Sequence, residues 1–169
     1  MLQSATHTGR PAVRRRTYRF LSLTLVLLTI ALALPAGASA FVSSGGGWFA
    51  QNSGTHRPLS DVAFIDATHG WAVGDHGTIL ATTDGGSTWS GQDSGTYGSR
   101  LSDVAFSDAT HGWVVGDSGV ILATTDGGAT WSDQSPGVDG LLWGVAFTDA
   151  THGWAVGNGG AILATTSGQ

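Results

Sequence analysis

Three histidines of this sequence share one six-residue context, and histidine is both a metal ligand and a proton carrier near neutral pH. His69, His111 and His152 each hold the fourth place of Asp-Ala-Thr-His-Gly-Trp, 42 and 41 residues apart. Each histidine therefore belongs to a separate unit, and one ion could be shared only if all three side chains pointed toward a common axis. We expect each histidine to bond to the backbone of its own turn, and we predict no metal and no cofactor.

A possible nucleophile stands in Gly116-Asp117-Ser118-Gly119, which looks like the surroundings of a serine-protease serine. Internal alignment places Ser118 at the same position as His76 and Gly159. A nucleophile requires one particular side chain, whereas a hairpin tip requires only a permissive backbone. We predict that Ser118 is a turn residue and that the chain has no catalytic residue.

An eight-residue motif, S/T-x-D-x-G-x-T-W, occurs at residues 82–89 and 124–131. It resembles the Asp-box, also called the bacterial neuraminidase repeat. Its aspartates, Asp84 and Asp126, can accept backbone N–H bonds within their own turns, and its tryptophans, Trp89 and Trp131, can pack beneath. We predict a structural role for these four residues. Ser43 and Ser167 stand where the first and last copies would have the aspartate.

Sialidases contain Asp-boxes, but they also need an arginine cluster for the substrate carboxylate and a tyrosine nucleophile. Beyond residue 40 this chain has only Arg57, Arg100 and Tyr97 of these types. The sequence therefore predicts that the protein is not an enzyme. A carbohydrate-binding or glycosidase-like Asp-box module remains the alternative function.

Two aspartates and a tryptophan form a candidate ligand face. Asp61 and Asp103 open the innermost strand of their units, where a propeller lines its axial channel, and the third unit has Trp143-Gly144 in place of Ser-Asp. An aromatic platform beside two carboxylates could hold a sugar or a cation. Packing of Trp143 into a junction between units is the other interpretation.

These residues are positioned by an internal repeat. The units run from about 59 to 100, 101 to 141 and 142 to 169, and Trp48 matches Trp89 and Trp131. Apolar alternation, glycine-rich corners and a period near forty residues are typical of four-stranded propeller blades. We predict an all-β fold of about three four-stranded antiparallel blades, with residues 48–55 as an orphan outer strand.

Three blades are fewer than the four to eight of natural propellers, and an open arc would expose apolar faces at both ends. Leaving about 400 Å² of apolar surface in water forfeits about 10 kcal/mol, comparable to the stability of a whole domain. We therefore expect a homodimer that completes a six-bladed ring, or a truncated fragment of a longer propeller.

Residues 1–40 have the order of a secretory signal peptide: arginines, the apolar run 20–34, and a small-residue end at Ala-Ser-Ala. The prediction is a signal helix over 1–40, a propeller domain over 41–169, and export to the periplasm or the medium. An uncleaved membrane anchor is the alternative, and the export route stays open.

Charge limits the partners of the exported domain. Beyond residue 40, two arginines face twelve aspartates, a formal charge of −10. Such a surface offers nothing to displace the counterions of nucleic acids or anionic membranes. We predict no nucleic-acid partner and no membrane association after cleavage, whereas basic proteins, cations and neutral ligands remain possible partners.

The composite L-S-D-V-A-F, H-G-W-A-V-G-D and I-L-A-T-T-D-G-G-x-T-W recurs between Trp48 and Thr166 and resembles the photosystem II stability/assembly factor-like family. The resemblance implies an exported, non-enzymatic β-propeller that assists photosystem II assembly through protein contacts, in a lumenal location. Characterised members are seven-bladed with an arginine-rich patch, features that this chain lacks. We predict a non-catalytic exported module that binds a protein partner.

Overall fold

The computed structural model describes residues 47–167, which form three antiparallel β-sheets in chain order. Blade 1 contains β1 (Leu59–Phe64), β2 (Gly70–Gly74), β3 (Thr78–Thr82) and β4 (Ser90–Gln92). Blade 2 contains β5 (Leu101–Phe106), β6 (Gly112–Gly116), β7 (Ile121–Thr124) and β8 (Ser132–Asp133). Blade 3 contains β9 (Leu142–Phe147), β10 (Gly153–Gly157) and β11 (Ile162–Thr165). The predicted all-β fold of propeller blades is confirmed.

The predicted signal segment, residues 1–40, lies outside the described residues. Among residues 47–167, no helix has the length and apolar character needed to cross a membrane.

Strands follow one another within each blade without crossover, so every strand pairs with its neighbour in sequence. The register of the first pair is the same in blades 1 and 2, with Val62 opposite Ala72 and Val104 opposite Val114. An irregularity lies between Leu59 and Asp61 in blade 1, and at the matching place in blade 2. This repetition means that equivalent sequence positions occupy equivalent places in space.

The second and third strands of each blade meet at a short 3₁₀ turn with a left-handed central residue. His76 and Ser118 both have φ of 58°, and Gly159 has φ of 69°. Residues other than glycine adopt this conformation only rarely, so the position is restricted by its backbone conformation and not by the chemistry of one side chain. Histidine, serine and glycine fill it in the three blades. Ser118 thus has a turn position that the other blades fill with unrelated side chains.

The hydrophobic core lies between blades rather than within one sheet. Between blades 1 and 2 the buried side chains come from both blades: Trp71, Val73, Ile79, Leu101, Val104, Val114 and Leu122. Val115, Leu142 and Ala155 form the smaller core between blades 2 and 3. Strands β2 and β6 are buried along their whole length, whereas alternate residues of β10 are exposed. Among residues 47–167, no blade covers the outer face of blade 3.

Residues 48–55, the predicted orphan outer strand, do not form a strand, so the described chain has eleven strands rather than twelve. The third strand of a preceding blade, with which this segment would pair, is absent from residues 47–167. The segment nevertheless lies where a fourth strand would, because Gln51 Nε2 donates to Gly85 O at 3.2 Å. Gln92 Nε2 in β4 donates to Gly127 O at the same distance.

Candidate functional site: Asp-box turns, axial carboxylates and blade junctions

The Asp-box turns are held by their aspartates. Asp126 accepts hydrogen bonds from the Thr130 backbone N–H at 2.8 Å, the Thr130 hydroxyl at 2.7 Å and the Thr124 hydroxyl at 2.8 Å. Asp84 has the same three partners in blade 1, supplied by Thr88 and Thr82. Bonds to the charged form lower the pKa of Asp126 to about 2, and the pKa of Asp84 is also lowered. Both carboxylates therefore use these hydrogen bonds to stabilise their own turns.

A buried threonine at the end of the third strand completes each of these two turns, a role that we did not predict from the sequence. The Thr124 hydroxyl accepts from the Gly128 backbone N–H at 2.8 Å, and Thr82 accepts from Gly86 N–H at 2.9 Å. Both threonines are buried. The first position of the motif accepts Ser or Thr, and that restriction was the available signal for a buried hydroxyl.

The Asp-box tryptophan bridges two blades. Trp131 meets Phe106 edge-on with ring centroids 6.1 Å apart, and its Nε1 donates to Gln92 Oε1 at 3.3 Å. In blade 1, Trp89 meets Phe64 in the same way at 6.0 Å. In blade 3 the turn begins normally, with Ser167 N–H donating to Thr165 Oγ1 at 3.3 Å, but serine replaces the aspartate.

The three repeated histidines lie in separate turns, each beside its own aspartate. His69 Nδ1 is 2.9 Å from Asp66 Oδ2, and Asp66 Oδ1 also accepts from the backbone N–H groups of Thr68 and His69. The Thr68 hydroxyl, which donates to Asp66 Oδ1 at 2.7 Å, is the main cause that holds the pKa of Asp66 well below its usual value, and the backbone N–H bonds add to it. The other two turns repeat the pattern, so the imidazole contacts a side-chain carboxylate of its turn and not, as we expected from the sequence, the backbone of its turn. No group of metal-binding side chains occurs within the described part of the chain.

The axial carboxylates link the first strands of successive blades. Asp61 Oδ2 of blade 1 accepts from Val104 N–H of blade 2 at 3.1 Å, and Asp103 Oδ2 of blade 2 accepts from Val145 N–H of blade 3 at 2.6 Å. In blade 3 the equivalent position is Gly144, where an added Cβ would lie 3.6 Å from Asp103 Oδ2. The two predicted carboxylates therefore lie together at the inner edge of the sheets.

Trp143 precedes Gly144 and is 52% exposed. Its Nε1 donates to Asn158 Oδ1 at 2.9 Å, at the corner between β10 and β11. This bond fixes one edge of the indole, and about half of the side chain remains open to solvent. An exposed, oriented indole at the inner edge of the blades is a suitable contact for a partner.

The pKa of the Asp103 carboxyl is raised. Burial is the main cause, and the neighbouring Asp61 carboxylate adds to it, so that the pKa of Asp103 rises from 3.8 to about 6. Between these values the folded protein binds this proton more tightly than the unfolded chain does. The contribution of Asp103 to stability is therefore largest in acid and is lost as the pH rises through about 6.

We expect Asp103→Asn to stabilise the protein at pH 7.5, because it removes one of two close charges and leaves an oxygen to accept the Val145 N–H bond. The gain should be about 1 kcal/mol, less than the full equivalent of the shift because water screens a half-buried pair. Urea unfolding at pH 7.5 and pH 4.5 measures it. The difference in the free energy of unfolding between Asp103→Asn and wild type should be smaller at pH 4.5 than at pH 7.5. The lowered pKa values of the turn aspartates affect both proteins equally and therefore cancel in this difference. Asp139→Asn, at an exposed loop aspartate, should show no such narrowing; equal gains at both pH values would contradict the assignment.

Each blade junction contains one stacked aromatic pair. The ring centroids of Trp71 and of Phe106 in the next blade are 3.6 Å apart, and those of Trp113 and Phe147 are 3.4 Å apart. In both pairs the rings are nearly parallel. Trp71 Nε1 also donates to Gly127 O at 3.0 Å. Thus the Trp of His-Gly-Trp in one blade stacks on the Phe of Val-Ala-Phe in the next.

Glycine before that tryptophan makes room for the phenylalanine of its own blade. A Cβ on Gly112 would lie 2.3 Å from the Phe106 ring, and one on Gly153 would lie 2.3 Å from Phe147. The phenylalanine is therefore held flat between a glycine below and the preceding blade's tryptophan above. This arrangement gives a packing reason for the Gly-Trp dipeptide in each repeat.

The two end blades each expose one half of such a junction. Trp154 of blade 3 is 44% exposed, and Phe64 of blade 1 is 45% exposed. Beside blade 3 lies an apolar cavity of about 270 Å³ that reaches back to blade 2. Its walls include Trp113, Phe147, Gln134, Leu163 and Thr165.

Comparison with known proteins supports the same architecture. The family model described as photosynthesis system II assembly factor YCF48 matches residues 42–96 and 93–140, more than half of the chain. The chain is 41% identical over 64 residues to the photosystem II assembly protein Ycf48 of Thermosynechococcus vestitus, covering 38% of this chain and 18% of that protein. It is 38% identical over 73 residues to the chloroplastic photosystem II stability/assembly factor HCF136 of Cyanidioschyzon merolae, covering 38% of this chain and 17% of the relative.

Solved structures agree. The structure of YCF48 bound to D1 peptide superposes with a TM-score of 0.60 at 33% identity, over 66% of this chain and 37% of that one. YCF48 from Cyanidioschyzon merolae gives 0.60 at 35% identity, over 68% and 38%. An ancestral GH74 enzyme matches at 14% identity with a TM-score of 0.51, a likeness of fold alone.

The chain thus spans under two fifths of each of these YCF48 structures. Its repeated junctions, its Asp-box turns and the family match agree with one another. The protein is a β-propeller repeat chain of the photosynthesis system II assembly factor YCF48 family.

Proposed function

We propose that this chain is a non-catalytic, exported propeller module that binds an extended segment of a protein partner during assembly of a larger complex. The observation that carries the proposal is the likeness to a YCF48 structure that holds a D1 peptide. The chain spans only 37% of that structure, so we propose, by similarity, that its partner is a peptide like that of D1.

The inner edge of the blades is the face that we propose for this partner. It combines Asp61 and Asp103, which lie together, with the exposed and oriented indole of Trp143. An extended peptide that carries basic and apolar side chains suits such a face, since carboxylates and an indole both attract cations. This assignment gives the three predicted axial residues one shared role.

The non-catalytic part of the proposal rests on how the polar side chains are used. The Asp-box aspartates hold their turns, the repeated histidines bond to turn aspartates, and Ser118 lies in a left-handed corner. These groups stabilise backbone rather than converge on one point where a substrate could react. A likeness of fold to a glycoside hydrolase does not transfer its activity.

Export is supported by the predicted signal segment over residues 1–40 and by the names of the relatives. Ycf48 of Prochlorococcus marinus and of Parasynechococcus marenigrum is named a lipoprotein, and HCF136 is named chloroplastic. We propose that the propeller module acts outside the cytoplasm, in the lumen if its host carries out photosynthesis. Recovery of the processed protein from the periplasmic or culture fraction tests this location.

Fluorescence anisotropy with a labelled D1 peptide, of the sequence held by the YCF48 relative, tests the proposed binding. We expect saturable binding by the full chain and none of a scrambled peptide. Trp143→Ala should weaken the affinity at least tenfold, as truncation of a contact tryptophan commonly does. Tyr97→Ala, at an exposed tyrosine in the loop between blades 1 and 2, is the matched control and should bind as wild type does. No peptide binding together with retention on a glycan array would contradict the proposal and favour a carbohydrate ligand.

A further inference from the structure

We propose that the cavity beside blade 3 is a binding site for Trp48 of a second copy of this chain, and that two copies exchange residues 48–51 to close a six-bladed ring. The volume of the cavity, about 270 Å³, lies at the lower limit of the pockets of about 300–1,000 Å³ that hold small molecules, and it leaves room for one large side chain.

Blade 2 shows which side chain belongs in such a place. There Trp131 meets the ring of Phe106 edge-on and donates to Gln92 Oε1. The cavity is lined by Phe147 and Gln134, which occupy the same positions one repeat later. The cavity is therefore the place of an Asp-box tryptophan, in a blade for which the described chain supplies none.

Trp48 is the repeat equivalent of Trp131, and it is fully exposed. It cannot reach the cavity of its own chain, because Gln51 is bonded to Gly85 of blade 1 and blade 2 stands between. Three residues span at most about 11 Å. In a second copy, the same Gln51 contact would leave residues 48–51 beside β11 of the first copy.

The remaining contacts of a blade junction match across the two copies. Trp154 of blade 3 would stack on Phe64 of the second copy, as Trp113 stacks on Phe147. Its Nε1 would meet Gly85 O, as Trp71 Nε1 meets Gly127 O alongside the glutamine side chain. Only the axial bond is missing, because Gly144 stands in place of the aspartate. The interface is thus continuous with the junctions already present in the chain.

Ring closure selects two copies. A head-to-tail interface either closes into a ring or continues as a filament. Two copies of the three described blades give six blades, within the natural range of four to eight, whereas three copies would give nine. Each copy would donate one strand and receive one.

Size-exclusion chromatography with light scattering on the full exported chain tests the number of copies. We expect twice the mass of the processed chain. Trp48→Ala should raise the dissociation constant at least tenfold and yield single chains, because it empties the cavity without touching a described core. Tyr97→Ala, which removes another exposed aromatic ring, should leave the dimer intact. A wild-type protein of one-chain mass, a larger polymer, or a Trp48→Ala protein of unchanged mass would each overturn the proposal.

Cysteine pairing tests the register, since the chain has no cysteine of its own. Ala81 stands opposite Ser90 in blade 1, and the equivalent pair across the two copies is Ala164 and Phe49. The double variant Phe49→Cys/Ala164→Cys should form covalent dimers under mild oxidation, because directly opposed residues lie near disulfide range. Tyr97→Cys/Ala164→Cys should not. A dimer of the first double variant that fails to cross-link would show a different interface and overturn the strand exchange.

Discussion

Trp113→Ala should lower the free energy of unfolding by about 3–5 kcal/mol, a loss typical of truncating a fully buried tryptophan. Trp113 is only 1% exposed, and its ring stacks on Phe147 at 3.4 Å. Removing the Trp113 side chain would open a cavity in the junction between blades 2 and 3. Urea unfolding followed by circular dichroism measures the change.

Trp143→Ala is the matched control for this prediction. Trp143 is 52% exposed and has one side-chain hydrogen bond, to Asn158, so its truncation should cost about 1 kcal/mol or less. A double-mutant cycle with Trp113→Ala, Phe147→Ala and the double variant Trp113→Ala/Phe147→Ala measures the coupling between these two stacked rings. We expect a coupling energy of about 0.5–1.5 kcal/mol. Equal losses for Trp113→Ala and Trp143→Ala would show that the junction is not the main source of stability.

Thr124→Val should lower the free energy of unfolding by about 1–3 kcal/mol, although valine has nearly the same shape as threonine. The substitution leaves the buried Gly128 N–H without its hydroxyl acceptor and removes a donor to Asp126. Thr124→Ser, which restores the hydroxyl, should recover most of the loss. Thr125 is exposed and follows the last residue of β7, so Thr125→Val should change stability by less than about 0.5 kcal/mol. Thermal unfolding of the three variants separates these cases, and a neutral Thr124→Val would refute the role given to the hydroxyl.

The fold could be predicted because the same pattern of strands and turns occurs three times in the sequence. The alternation in Leu-Ser-Asp-Val-Ala-Phe and the glycine corners gave the strands and their order within each blade. The family resemblance is also confirmed by the match over residues 42–140. Local patterns suffice for these features, since each strand pairs with the strand next to it in sequence.

Contacts between blades were harder to predict. The sequence predicts that Asp61 lies at the axis. Its bond to Val104, 43 residues away along the chain, has no local sequence signature. The stacking of Trp71 on Phe106 and the place of Thr124 beneath Asp126 likewise follow from how blades and turns meet in space. The missing strand over residues 48–55 shows the same limit: its sequence matches a strand, but a strand needs a partner.

The claim that the repeats are blades joined by one recurring junction is tested most directly by amide hydrogen exchange. The amides of Val104 and Val145 are bonded to Asp61 and Asp103 of the preceding blades. We predict that both amides exchange slowly, that Asp61→Ala speeds exchange at Val104, and that Asp103→Ala speeds exchange at Val145. Exchange that is fast in the wild-type protein, or that changes only within the substituted blade, would contradict the account.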